Sequence, residues 1–189
     1  MFEFGEPDEF YLNDGDGHFT LLEWAGGRFT THDGKPLAEP YRHQGLSAIF
    51  RDMNGNHAPD LFIANDGSTE DRCWINDGSG RFLEISPLAI WQLSYSAMGV
   101  DFADINRDGH DGFFVVEMLS RNHARRLMQQ GTIPGAKVGP GNFTHQPQNR
   151  RNCLYVARGD GAVDLFLAQN AFGARLALRR RPGPFAARR

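Results

Sequence analysis

Two stretches of this chain, 52 residues apart, space oxygen-bearing side chains as a cation-holding loop does. The first runs Phe50-Arg51-Asp52-Met53-Asn54-Gly55-Asn56-His57-Ala58-Pro59-Asp60 and continues into Leu-Phe-Ile-Ala. The second runs Phe102-Ala103-Asp104-Ile105-Asn106-Arg107-Asp108-Gly109-His110-Asp111-Gly112 and continues into Phe-Phe-Val-Val. With the first aspartate as position 1, each loop carries Asp or Asn at positions 1, 3 and 5. A tight loop folds such alternate side chains onto one hard cation, and an all-oxygen donor set suits calcium. An EF-hand needs an acid at position 12 and flanking helices. Position 12 is Ile63 in one loop and Val115 in the other, and the apolar run around each reads as strand. A metal-free reading stays open, in which both loops are Asx-rich turns that hold hairpins together.

A second motif alternates with the first. Tyr11-Leu-Asn13-Asp14-Gly15-Asp16-Gly17-His-Phe19 matches Trp74-Ile-Asn76-Asp77-Gly78-Ser79-Gly80-Arg-Phe82, and Tyr155 to Val163 is a weaker copy. Each is an aromatic strand, a turn with glycines two apart, and an apolar residue that resumes the chain. Glycine supplies the positive φ such turns require, so the motif reads as a β-hairpin. Asp14, Asp16, Asp77 and Ser79 are expected to form the turns and not to bind ligand. An insertion over 118–150 should hold a short helix, Arg121 to Gln130 capped by Ser120, and then a Gly/Pro-rich loop. Residues 24–44 read as a variable stretch with turns at Gly26-Gly27 and Asp33-Gly34.

These motifs together resemble the FG-GAP/VCBS repeat family, the blades of integrin-alpha-like β-propellers, in particular the bacterial branch found beside ASPIC/UnbV domains. DMNGNHAPDLFIAN, WINDGSGRF, MGVDFADINRDGH and YLNDGDGHF carry the likeness, which covers about residues 8–166. It implies an all-β fold of four-stranded antiparallel blades, an incomplete propeller of two to three blades. The units would span about 1–44, 45–96 and 97–170. It also implies Ca2+ as cofactor. In that family the side chains at positions 1, 3, 5 and 9 and the main-chain carbonyl at position 7 hold the ion. Carried over, these are Asp52, Asn54, Asn56, Asp60 and the Ala58 carbonyl, then Asp104, Asn106, Asp108 and the His110 carbonyl. The chain departs from the pattern twice. His57 stands at position 6, where the family usually has glycine, and Gly112 stands at position 9, where the closing carboxylate is expected. Asp111 is the neighbouring substitute. Two weak sites are expected. An extracellular or periplasmic setting goes with the resemblance.

The function implied is a calcium-stabilised module for a protein or glycan partner, without catalysis. Two alternatives stand beside it: a fragment of a propeller enzyme acting on polysaccharide, and a truncated accessory fragment. A cluster of His, Tyr and Arg on one face would favour the enzyme. The 22 glycines and 15 phenylalanines fit an all-β class. The net charge of −3 includes six arginines and no acid in residues 171–189, so the rest carries about −9. That basic tail, Ala/Arg/Pro/Gly-biased and without period, reads as disordered or as the product of a shifted or truncated reading frame. Residues 118–159 hold seven basic residues and no acid, either a docking patch for an anionic partner or a solvated loop. Arg158-Gly159-Asp160 occupies the repeated turn slot and reads as turn. HExxH, GxSxG and phosphate-loop motifs are absent, as are nucleic-acid motifs. Cys73 and Cys153 fall on opposite faces of equivalent strands, with no disulfide expected. No basic and apolar leader opens the chain, and no apolar run nears the ~20 residues of a membrane span. Open blade edges make self-association another expectation.

Overall fold

The computed structural model describes residues 5–67, 69–90, 92–118, 120, 122–130, 148–157 and 163–168. A hairpin of β1 (Phe10–Asn13) and β2 (Phe19–Leu22) comes first, followed by β3 (Phe29–Thr30). A meander comes next: β4 (Gly45–Arg51), β5 (Asp60–Asn65), β6 (Arg72–Asn76) and β7 (Phe82–Glu84). After α1 (Ser86–Ala89) and β8 (Leu93–Ser94), a second meander begins with β9 (Ala97–Ala103) and β10 (Gly112–Glu117). It is interrupted by α2 (His123–Gln130) and β11 (Gln148–Asn149), and it finishes with β12 (Asn152–Ala157) and β13 (Val163–Ala168). Each meander is one antiparallel blade. The second has the order β13-β12-β10-β9. No helix among the described residues is long and apolar enough to cross a membrane.

The first blade differs from the four strands expected. Its order is β3-β7-β6-β5-β4, with β3 added parallel to β7 through the pairs Phe29–Phe82 and Thr30–Leu83. Residues 24–44, read from sequence as a variable stretch, supply this fifth strand. Trp24, Phe29 and Leu37 are buried there, and three apolar anchors in so short a segment fold it onto the blade. The turn signals within it hold: Gly26, Gly27 and Gly34 have φ of 101°, 83° and 79°.

The first blade is covered on both faces, by the second blade along one seam and by the β1–β2 hairpin and residues 24–44 along another, and β5 lies between the two seams. All six of its residues are buried. Leu61 and Ile63 face one seam with Trp24, Phe29, Trp74 and Phe82. Phe62 and Ala64 face the other with Phe102, Phe113, Val115 and Tyr155. Alternate residues of a strand point to opposite faces, so the interior of a strand covered on both sides must be apolar, as Leu61 to Ala64 are, while the buried ends Asp60 and Asn65 are hydrogen-bonded. Aromatic rings close the second seam: Phe62 to Phe113 at 5.1 Å, and Phe113 stacked on Tyr155 at 4.2 Å and 15°. Each buried ring contributes roughly 1.5–3 kcal/mol from area alone.

Cys73 and Cys153 are both free, and both lie in that second seam. Opposite faces of equivalent strands in successive blades look into one shared interface, which reconciles the sequence expectation with their common burial. The helix starts later than expected. Asn122, not Ser120, caps it, accepting the Arg125 amide at 3.1 Å. The Arg-Gly-Asp tripeptide, the Gly/Pro-rich loop of 131–147 and the basic tail of 171–189 lie outside the described residues.

Candidate metal-binding loops

Both loops connect the first and second strands of a blade. They fold around the same hydrogen bonds. In loop one, Asp52 Oδ1 accepts the amides of Gly55 at 2.8 Å and Asn56 at 3.1 Å, and Oδ2 accepts that of His57 at 2.9 Å. In loop two, Asp104 Oδ1 accepts the amide of Asp108 at 3.0 Å and Oδ2 that of Gly109 at 2.9 Å. Position 5 repeats the device. Asn56 Oδ1 accepts the Ala58 amide, and Asp108 Oδ1 the His110 amide, each at 2.9 Å. Position 1 thus gathers the amides of positions 5 and 6, and position 5 gathers that of position 7. These bonds hold the Asp108 carboxyl below the usual carboxylate range, chiefly through the His110 amide.

The backbone turns left-handed at positions 4 and 6 of both loops. The φ values are 78° at Gly55 and 67° at His57, then 60° at Arg107 and 87° at Gly109. Each loop therefore places glycine at one of the two left-handed positions and a side chain at the other, in opposite order. His57 and Arg107 carry the strain that glycine would relieve.

Position 9 separates the loops. Asp60 is fully buried at the start of β5. Its Oδ2 accepts the Met53 amide and its Oδ1 the Asn76 amide, each at 2.7 Å. Desolvation raises its carboxyl above the ordinary value, against the lowering effect of those bonds. Asn76 completes a clamp. Its carbonyl accepts Asn56 Nδ2 at 2.7 Å, and its own Nδ2 donates to the Pro59 carbonyl at 3.1 Å. Loop one is thus tied to the β6–β7 turn. Asn76 as the anchor of loop one is a residue that sequence reasoning placed only in the hairpin motif.

Loop two cannot repeat this clamp. A Cβ on Gly112 would lie 2.5 Å from the Tyr155 carbonyl oxygen, so the strand β12 backbone occupies the place of a position-9 side chain. The residue at the Asn76 position is Ala157, which has no side-chain amide. Asp111, the neighbouring acid, accepts Arg51 Nε at 2.5 Å and so links loop two to the end of β4.

The donor set fits a hard cation: aspartate, asparagine and main-chain oxygens, with two aspartates in each loop. Among the described residues no three His, Cys, Asp or Glu side chains form a metal group, so any ion needs the asparagine and carbonyl oxygens as well. The hairpin acids behave as turn formers. Asp14 Oδ1 accepts the amides of Asp16 and His18, and Asp77 Oδ1 those of Ser79 and Arg81.

The family model of the FG-GAP-like repeat matches residues 52–115, from the first aspartate of loop one into β10. That stretch is an FG-GAP-like repeat. The match takes in β5, β6, β7, β8, β9, the start of β10 and both candidate loops, and such a repeat implies a β-propeller-like repeat module. Neither the curated proteins nor the solved structures include a match.

A His, Tyr and Arg cluster forms where the segment before β4 packs on the first blade. Tyr41 stacks on His43 at 5.1 Å, and the Arg72 guanidinium lies 4.4 Å from the Tyr41 ring centre. Buried Glu84 takes both polar partners: Oε2 accepts Tyr41 Oη at 3.1 Å and Oε1 accepts Arg72 Nη1 at 2.5 Å. Burial pushes Tyr41 up to about 12, with the Glu84 charge adding to it. Burial, with Arg72 adding to it, takes His43 down to about 4. The tyrosine therefore keeps its proton and the histidine is uncharged near pH 7.

Proposed function

We propose that this chain is a calcium-stabilised repeat module that presents propeller blades to a protein or glycan partner and does no chemistry of its own. The observation that supports it is the shared loop construction. Two loops 52 residues apart fold oxygen donors into the same turn through the same amides, each between the first two strands of its blade. Both loops turn left-handed at positions 4 and 6 and keep a side chain at one of the two despite its cost, as a loop shaped for a ligand would. When calcium is bound, it would neutralise the aspartates of a loop and tie positions 1, 3 and 5 together.

The enzymatic alternative would rest on Tyr41, His43 and Arg72. Glu84 holds the tyrosine and the arginine, and the histidine is buried, which favours the binding reading.

A cation that binds only the folded chain stabilises it by mass action. Melting in millimolar calcium should therefore exceed melting in chelator by several degrees, and magnesium should do less. Identical melts under all three conditions would leave the loops as metal-free turns.

A further inference from the structure

We propose that the cleft between the start of β1 and β4 binds a small amphipathic cation, a primary ammonium on a short aromatic or alkyl body. Asp8 and Asn65 receive the charge, and the rings of Phe10, Trp24 and Phe50 receive the body. None of the calcium-loop donors takes part, so the site stands whether or not the loops bind the ion.

The cleft encloses about 300 Å³, the lower end of the range for small-molecule sites. Its wall is apolar, formed by Phe10, Trp24, Leu46, Phe50, Leu61 and Ile63. Phe10 and Phe50 meet edge to face, with ring centres 5.6 Å apart. The indole of Trp24 is fixed by its Nε1–H, which donates to the Asp8 carbonyl at 2.6 Å. Phe50 remains 51% exposed, so a ligand on this wall has aromatic area to bury.

The charged groups of the lining are acidic. Asp8 and Glu9 line the cleft, and no Lys, Arg or His does. Glu9 is engaged, its Oε2 accepting the Tyr11 hydroxyl at 2.5 Å. The Asp8 carboxylate is partly buried and has no hydrogen-bond or ion-pair partner among the described residues. Burial alone raises it above the ordinary carboxylate value, as for an acid that has lost water without gaining a counter-charge. A second acceptor points to the same place. A Cβ on Gly45, which lines the cleft, would lie 3.0 Å from Asp8 Oδ1 and 3.6 Å from Asn65 Oδ1. Asn65 is fully buried, and this oxygen has no partner among the described residues. Its amide nitrogen is used, donating to the Glu70 carbonyl at 2.6 Å. Two acceptor oxygens without donors therefore converge on one glycine at the cleft wall. A primary ammonium is all donor and carries the charge Asp8 lacks. The aromatic faces beside it favour a cation further. An anion would meet two carboxylates, and a neutral body would leave Asp8 uncompensated.

The test titrates the full chain with phenethylammonium chloride in a calorimeter. Saturable one-to-one binding is expected, at least about tenfold tighter than for 2-phenylethanol, the same body without the charge. The anion 3-phenylpropanoate should not bind. Asp8→Asn should weaken the ammonium at least about tenfold and leave the alcohol unchanged, a split that loss of fold would not produce. Phe50→Ala should weaken both ligands alike, and Met128→Glu, exposed on α2, should change neither. The assignment fails if the ammonium does not saturate, if the carboxylate binds as well, or if Asp8→Asn binds the ammonium like the parent chain. Acetyl-lysine amide carries the same charge on a peptide stem and should bind more weakly than phenethylammonium. Equal or tighter binding of it would make the occupant a protein side chain and overturn the small-molecule assignment.

Discussion

His57 and Arg107 show most directly how one residue sets the cost of a loop. Both sit in the left-handed region, at φ of 67° and 60°, where a side chain costs roughly 1–2 kcal/mol. His57 is almost fully exposed, and its ring reaches Asp52 only at 3.9 Å, so little is lost on removing it. His57→Gly and Arg107→Gly should each raise stability by about 0.5–1 kcal/mol after the extra entropy of glycine in the unfolded chain is counted, read as a later urea midpoint. Asp71 offers a second case. It is buried, its Oδ1 accepts the Asn65 amide at 2.8 Å, and its Oδ2 has no partner among the described residues. Burial, reinforced by the nearby Glu117 and Glu70 charges, pushes it up to about 8. The folded chain therefore holds this proton while the unfolded chain releases it near pH ~4. Stability from Asp71 is complete below that value and is lost as pH rises from about 4 to about 8. In the next blade Asn152 does the same work with an amide, its Oδ1 accepting the Glu117 amide at 2.8 Å. Asp71→Asn should therefore flatten the fall in melting temperature between about pH 5 and 7.5. An unchanged slope would mean that Asp71 is ionised in the folded chain.

At the scale of elements, the two loops should differ because only loop one is clamped at position 9. Asp52→Ala is expected to lower calcium affinity more than Asp104→Ala, measured by calorimetry, since Asp60 and Asn76 pre-set loop one. The reverse order would show that the strain at His57 outweighs the clamp. Gly112→Ala tests the opposite closure. Its Cβ would press on the β12 backbone, so a loss of about 2–3 kcal/mol is expected in urea melts. Gly55→Ser, where the space is open and only the positive φ resists, should lose about 1 kcal/mol. The repeats were legible in sequence because glycine pairs and Asx spacing are demanded locally by φ and by side-chain reach. β3 was not, because Phe29 and Thr30 have no period and their pairing with Phe82 and Leu83 of β7 is decided far along the chain. The start of α2 was misplaced because Ser120 and Asn122 are both good caps, and sequence does not say which one the chain turns at. The tie between Asp71 and Asn65 was hidden because its counterpart joins Asn152 to Glu117 across 35 residues rather than 6, with different residue types.

The whole molecule is held by seams in which unlike faces meet. The forward face of one blade, with Phe62 and Ala64, fits the backward face of the next, with Phe113 and Val115. Such an interface is heterologous: it relates a blade to its successor and not to a mirror of itself. Copying one unit in a gene therefore copies both halves of a seam at once, and the new blade meets neighbours already shaped to receive it. Growth by tandem duplication needs no simultaneous change at the join. A chain in which residues 45–96 are repeated once in tandem should fold cooperatively and melt above the parent, because it adds a blade and a seam together. A lower or broadened transition would mean that the end blades differ too much for an internal copy to serve. β5, buried on both faces, is what makes this inheritance possible, since a single strand carries the complement to each side.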